Sequence, residues 1–236
     1  MSKELIELGK KNAAIKAVEE NIKRNMVVGI GSGSTVVYAV KKIAEINKDK
    51  DLALKCIPSS FQSYQLIIEN GLNLVTLDQY PDIDIDIDGA DEIDKDLNLI
   101  KGGGGCHLQE KIIASNSNKV IIIADFRKKS ERLGQNWKKG IPVEIIPLAY
   151  TPVMKRLKQL RGNPKLRMAQ VKAGPIISDN GNFIIDVDFG EIDNPFELNS
   201  KLLHIPGIVE TGLFIGLASK AYIGKDDGSV LILNKK

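Results

Sequence analysis

Residues 82–94, DIDIDIDGADEID, carry seven carboxylates, and seven positions later Lys101 opens a run of four glycines, Gly102 to Gly105. Carboxylates take up and return protons, and lysine offsets the charge of a developing oxyanion. Glycines leave bare amides against which a ligand can lie. Asp88 and Asp91 flank Gly89-Ala90, so a turn there lets both acids face one cleft, each raising the other's proton affinity. The plainer readings of such a run are a solvated acidic edge or a divalent-cation site. For Asp82, Asp84 and Asp86 we take these plainer readings, a solvated edge or a cation site. For Asp88 and Asp91, the glycine turn and the lysine behind them favour chemistry on a sugar, whose hydroxyls both donate and accept. Glu110 lies nine residues after Lys101, near the start of a helix. The helix dipole there favours an ionised carboxylate, ready to act as a base; the competing role is a simple helix cap.

A second group is GIGSGST, residues 29–35, where Gly29, Gly31 and Gly33 mark the passage from strand to helix. Helix N-termini attract anions, and glycine lets them approach. No lysine precedes Ser34, so the Walker pattern is absent. Pro58-Ser59-Ser60 stands where a dinucleotide site wants an acid at the end of the second strand, which disfavours NAD. A small phosphorylated ligand or a merely tight turn remains.

Positioning these groups requires strands that deliver them to one edge. Leu5, Leu8, Ile15, Val18 and Ile22 recur at helical spacing and predict an amphipathic first helix. Strands follow at 26–30, 52–58, 72–77, 83–90 and 119–125, with helices at 36–46, 59–71 and 108–117 between them. Ile83, Ile85 and Ile87 fall on one side of their strand and Asp84, Asp86 and Asp88 on the other. This alternation predicts a Rossmann-like, doubly wound parallel sheet. After about Leu133 the pattern changes to strand 141–147, a helix at 151–160 capped by Thr151, strands 166–171 and 183–189, and a helix at 194–205. This is a small α/β unit of ferredoxin-like character. GIVETGLF and the last strands, KAYIG and SVLIL, are expected to return to the first unit. The expected division is 1–133 plus 207–236 for the Rossmann-like catalytic domain and 134–206 for a lid or oligomerisation domain.

Composition narrows the class. The 236 residues are 43% hydrophobic and 27% charged with both signs mixed, enough for a real core and against disorder. A net charge of +3 is too small to indicate nucleic acid, and pairs such as Lys138-Lys139 and Lys235-Lys236 read as solvated surface. Two cysteines fifty positions apart give no zinc spacing and suggest a reducing compartment. The N-terminus does not read as a leader, and no stretch approaches a membrane span, so a cytoplasmic protein is expected. Two histidines, His107 and His204, leave most proton chemistry to Asp, Glu and Lys.

Together GSGST, DGADEID and KGGGG…EKIIA, with IPVEIIP and DNGNFIIDVDF…IPGIVETGLF following, resemble ribose-5-phosphate isomerase of the A type over essentially the whole chain. The resemblance implies metal-independent, cofactor-free interconversion of D-ribose 5-phosphate and D-ribulose 5-phosphate through an enediolate, in the non-oxidative pentose phosphate pathway. It implies oligomers built from dimers, a homodimer or homotetramer. Carried over by motif, Glu110 is the base. Asp88, Gly89, Ala90 and Asp91 form the acidic substrate turn, Lys101, Gly102, Gly103 and Gly104 the lysine–glycine turn, and Ser32, Gly33, Ser34 and Thr35 the hydroxyl-bearing loop. Lys128 is a further substrate lysine, and Lys11 a phosphate-side lysine. Gly105-Cys106-His107 departs from the smaller or apolar residues of many members, and His107 is given no role. Two rivals stay open: a coenzyme A transferase or other sugar-phosphate isomerase on a similar scaffold, and a catalytically silent sugar-phosphate sensor.

Overall fold

A computed structural model describes residues 3–235; positions 1, 2 and 236 of the expected spans, Lys236 included, lie outside the described residues. The chain runs α1 (Lys3–Asn21), β1 (Val27–Ile30), α2 (Val36–Lys50), β2 (Lys55–Pro58), α3 (Phe61–Glu69), β3 (Ile85–Asp88), β4 (Glu92–Ile93), β5 (Leu99–Ile100), α4 (His107–Ser115) and β6 (Val120–Asp125). It continues with β7 (Ile141–Ile145), α5 (Tyr150–Gln159), β8 (Asn163–Leu166), β9 (Phe183–Asp188), α6 (Pro195–Leu203), β10 (Ile208–Thr211), β11 (Leu213–Phe214), β12 (Lys220–Gly224) and β13 (Val230–Asn234).

The main sheet has the order β13-β12-β6-β3-β1-β2, parallel except for β13. Strands β1 and β6 are buried along their length and, apart from the terminal Asp125, apolar, as a sheet covered on both faces requires. From β1 the chain moves outward to β2, then returns to the other side of β1 as β3. This reversal opens a crevice at the carboxyl ends of β1 and β3, where ligands of such sheets bind.

The segment 72–77 does not form the expected strand; it contributes one bridge, Leu74 to Cys56. Strand 166–171 also shifts: β8 ends at Leu166 and contains Pro164, which an edge strand tolerates because one row of its amides is unpaired. Thr151 lies inside α5 rather than at its cap, because a turn at Pro147–Ala149 starts the helix earlier. Ser60 caps α3, accepting from Ser63 N at 3.1 Å.

Helix α1 departs from its expected face. Leu5 and Leu8 are exposed, whereas Gly9, Lys10, Ala13, Ala14, Ala17 and Val18 are buried. The helix packs on β6 and β12 so closely that a Cβ at Gly9 would come within 2.9 Å of Gly224 O. Small residues, not the large aliphatic ones, set that approach.

The second sheet is antiparallel, β10-β7-β9-β8. In chain order β7-α5-β8-β9-α6-β10 it is the βαββαβ run of the ferredoxin-like pattern. Its sixth element corrects the sequence reading: Ile208–Thr211 pairs with β7, so the small sheet extends past residue 206. Only β11 turns away, joining β5 and β4 in a three-stranded strip beside the crevice.

Candidate active site

Three strand ends meet at the crevice. β1 hands over to the loop 31–35 and α2, β3 to Gly89–Asp91, and β6 to Phe126–Lys128. Between them lies a cavity of about 280 Å³, near the lower limit of about 300 Å³ usual for small-molecule sites. Ser32 to Thr35, Gly89 to Asp91, Lys101 to Gly104, Glu110 and Lys128 all line it, so nearly every candidate from the sequence reaches one place.

At its floor Lys101 Nζ donates to Gly89 O at 2.7 Å and lies 2.8 Å from Asp88 Oδ2 and 3.2 Å from Glu110 Oε2. Asp88 Oδ1 accepts from Ser32 N at 3.0 Å and Gly89 N at 2.6 Å, tying the two loops together. A Cβ at Gly31 would collide with this carboxylate, which is why glycine is needed there. The acid that shares Lys101 with Asp88 is therefore Glu110. Asp91 instead accepts from Gly103 N at 2.6 Å, holding the glycine turn from the solvent side.

Burial works against the Lys101 charge, but Asp88 and Glu110 outweigh it and keep its pKa above the ordinary lysine value. Glu110 behaves otherwise than the helix dipole alone would dictate. Burial first, and Asp88 next, push its pKa up to about 8 despite Lys101. Desolvation exceeds the dipole because the side chain is almost wholly out of water. A base whose pKa lies near working pH is the effective kind.

The acidic strand gives a second correction. Asp82 is exposed and Asp84 accepts from Val27 N at 2.8 Å, but Asp86 is 1% exposed. Neither Asp86 oxygen has a hydrogen-bond partner among the described residues, and burial, reinforced by Asp88, raises its pKa well above the usual carboxylate value. Asp86 is thus a buried acid under the site, not solvated edge, because α4 covers the face of β3 that carries it.

The phosphate end is more open. α2 begins with no side-chain cap, and Ser34 is exposed beside it. Lys128 Nζ sits 5.2 Å over the Trp137 ring. Lys11 is exposed on the outside of α1, while its neighbour Lys10 lines the cleft and pairs with Glu7 at 2.7 Å. Lys10 shares a helical face with Ala13, Ala14 and Ala17, and reading that small-residue stripe as the packed face would have found it. Gln62, Cys106 and Arg127 also line the cavity and were not anticipated. Gln62 Oε1 accepts from Gly33 N at 2.8 Å, and Arg127 pairs with Asp125 at 2.6 Å. Burial pushes the Cys106 thiol up to about 12, so it carries no charge into the site. Burial and nearby Lys111 and Arg167 press His107 down to about 3, leaving it neutral in the core. Among the described residues, no three or more of His, Cys, Asp and Glu stand as a metal-holding group.

The sequence profile of Ribose 5-phosphate isomerase A (phosphoriboisomerase A) matches residues 55–228. The chain is 54% identical to a ribose-5-phosphate isomerase of Sus scrofa, over 97% of this chain and 75% of that one. It is 52% identical to that of Candida albicans, over 98% of both. Among solved structures, ribose 5-phosphate isomerase A from Methanocaldococcus jannaschii superposes with a TM-score of 0.91 at 41% identity, covering 96% of this chain and 98% of that one. A D-ribose-5-phosphate isomerase in complex with phospho-erythronic acid superposes at 0.93 with 38% identity, covering 99% and 100%.

Proposed function

The chain belongs to the ribose 5-phosphate isomerase A family and interconverts D-ribose 5-phosphate and D-ribulose 5-phosphate; we propose that Glu110 is the base that carries the proton between the two carbons. The observation that carries this assignment is the buried cluster of Asp88, Lys101 and Glu110 at the cavity floor.

Starting from the aldose, Glu110 takes the proton from C2. The electron pair of that C–H bond forms the C1=C2 double bond, and negative charge moves to O1. The Lys101 ammonium and the glycine-turn amides stand where that charge needs support. Glu110 then returns its proton to C1, while O1 gains a proton and O2 loses one, giving the ketose. Asp88 and Asp91 hold the hydroxyls, assist ring opening and relay the oxygen-bound proton. The phosphate rests on the open N-terminus of α2, the hydroxyls of Ser34 and Thr35, and the ammonium groups of Lys10 and Lys128. Phospho-erythronic acid, bound by a related structure, carries a phosphate at one end and at the other a planar, negatively charged carboxylate where an enediolate phosphate has its planar enediolate.

We read the enzyme as cytoplasmic and as a homodimer or homotetramer. Two free cysteines support the first. Leu148, Val171 and Phe196, all strongly exposed on the small α/β unit, support the second, and light scattering tests it.

The site assignment is tested in deuterated water. The wild type is expected to place solvent deuterium at C1 of the ketose. Glu110→Gln is expected to bind phospho-erythronic acid but to lose isomerisation and exchange together, by on the order of 10²–10⁴. Exchange surviving in that variant would remove Glu110 from the role.

A further inference from the structure

The glycine turn is held from behind by the other sheet. Arg167, immediately after β8, donates from Nη1 to Gly102 O at 3.0 Å and Gly103 O at 3.3 Å. The rest of its guanidinium is fixed by Asp186 of β9: Nε donates to Oδ2 at 2.8 Å and Nη2 to Oδ1. Both side chains are mostly buried. On the opposite side Asp91 accepts from Gly103 N. The Gly102–Gly103 peptide is therefore gripped at its carbonyl by Arg167 and at its N–H by Asp91. The next peptide has its carbonyl on Arg167, and its other residue, Gly104, lines the cavity with no acceptor for its N–H among the described residues.

We propose that Arg167, braced by Asp186, is a positioning residue for the isomerisation: it fixes the two glycine peptides so that the Gly104 N–H meets the enediolate oxygen and Asp91 meets a substrate hydroxyl. A cation on a peptide carbonyl also polarises that amide and strengthens the N–H at its other end, since linked hydrogen bonds reinforce one another. Charge develops on the substrate oxygen mainly in the transition state, so the effect falls on kcat more than on KM. A lysine cannot reproduce it, because one ammonium lacks the planar fork that spans Asp186 and two carbonyls. The small sheet thereby takes part in the chemistry. This rests on the reading of the Lys101–Gly104 turn as the enediolate-facing wall.

The test is steady-state kinetics of Arg167→Ala and Arg167→Lys, run beside Glu110→Gln. Arg167→Ala is expected to lose on the order of 10–10² in kcat, with KM within about threefold. Millimolar guanidinium is expected to restore part of the lost kcat, which a merely structural defect would not allow. Arg167→Lys is expected to lose about tenfold in kcat with phospho-erythronic acid binding retained, and it decides the question if the alanine variant does not fold. Wild-type kcat in Arg167→Lys, or a folded Arg167→Ala that guanidinium leaves unrescued, overturns the inference. If Glu110→Gln is inert while both arginine variants are normal, only this inference falls. If Glu110→Gln is active, the reading of the whole site falls.

Discussion

Lys101 Nζ lies 3.2 Å from Glu110 Oε2 inside the protein, with side chains 4% and 5% exposed. The lysine stays protonated, and the acid holds its proton more firmly than an ordinary glutamate. The site thus pairs a fixed cation with a base strong enough to attack a C–H bond.

This arrangement sets the pH dependence. Glu110 must be ionised to accept the C2 proton, and burial followed by Asp88 lifts its pKa to about 8. kcat/KM is therefore expected to rise about tenfold per pH unit on the acid side and to level off near that value. A pH–rate profile already flat from about pH 5, just above the ordinary glutamate range, would contradict it.

Removing the cation has two consequences. Lys101→Met leaves Asp88 and Glu110 buried together without an ammonium. Loss of kcat on the order of 10²–10³ is expected from lost oxyanion support. The acid limb should also move upward, because Lys101 lowers the proton affinity of Glu110. Kinetics across pH separate the two effects.

Asp86 predicts a stability effect. Its folded pKa is raised by burial first and Asp88 second, so its favourable contribution is complete at low pH and is lost as pH rises. Asp86→Asn keeps the shape without the ionisation. Its melting temperature is expected to gain on the wild type as pH rises from the ordinary carboxylate range, about pH 4, into the neutral range. A constant difference across that range would show that Asp86 does not hold its proton in the folded protein.

At the phosphate end, Lys10 lines the cavity and Lys11 is exposed. Lys10→Ala is expected to raise KM for ribose 5-phosphate about tenfold, and Lys11→Ala to change it less than about twofold. The opposite ranking would place the phosphate elsewhere.

Chelation addresses the cation reading of the acidic run. Activity is expected to survive EDTA dialysis. Its loss, with recovery on adding one divalent metal, would restore that reading.

The sequence by itself determined the parts of this protein that are local. Apolar runs, continuous or alternating, specified the strands of the main sheet, and three short motifs placed Asp88, Lys101 and Glu110 at carboxyl ends or helix starts. What it left undecided depends on which segments cover which. Asp86 belongs to the same alternation as Asp84, and only α4 lying over β3 makes it a buried acid. Lys10 and Lys11 are adjacent in sequence, and the close seating of α1 on β6 and β12 chose between them. Pairing with β7 assigned Ile208–Thr211 to the small sheet, and the small sheet in turn brought Arg167 to the glycine turn. The proton affinity of Glu110 was decided in the same way. A helix start favours a charged glutamate, and the removal of water by the surrounding fold, a long-range effect that no local motif encodes, favours a neutral one more strongly.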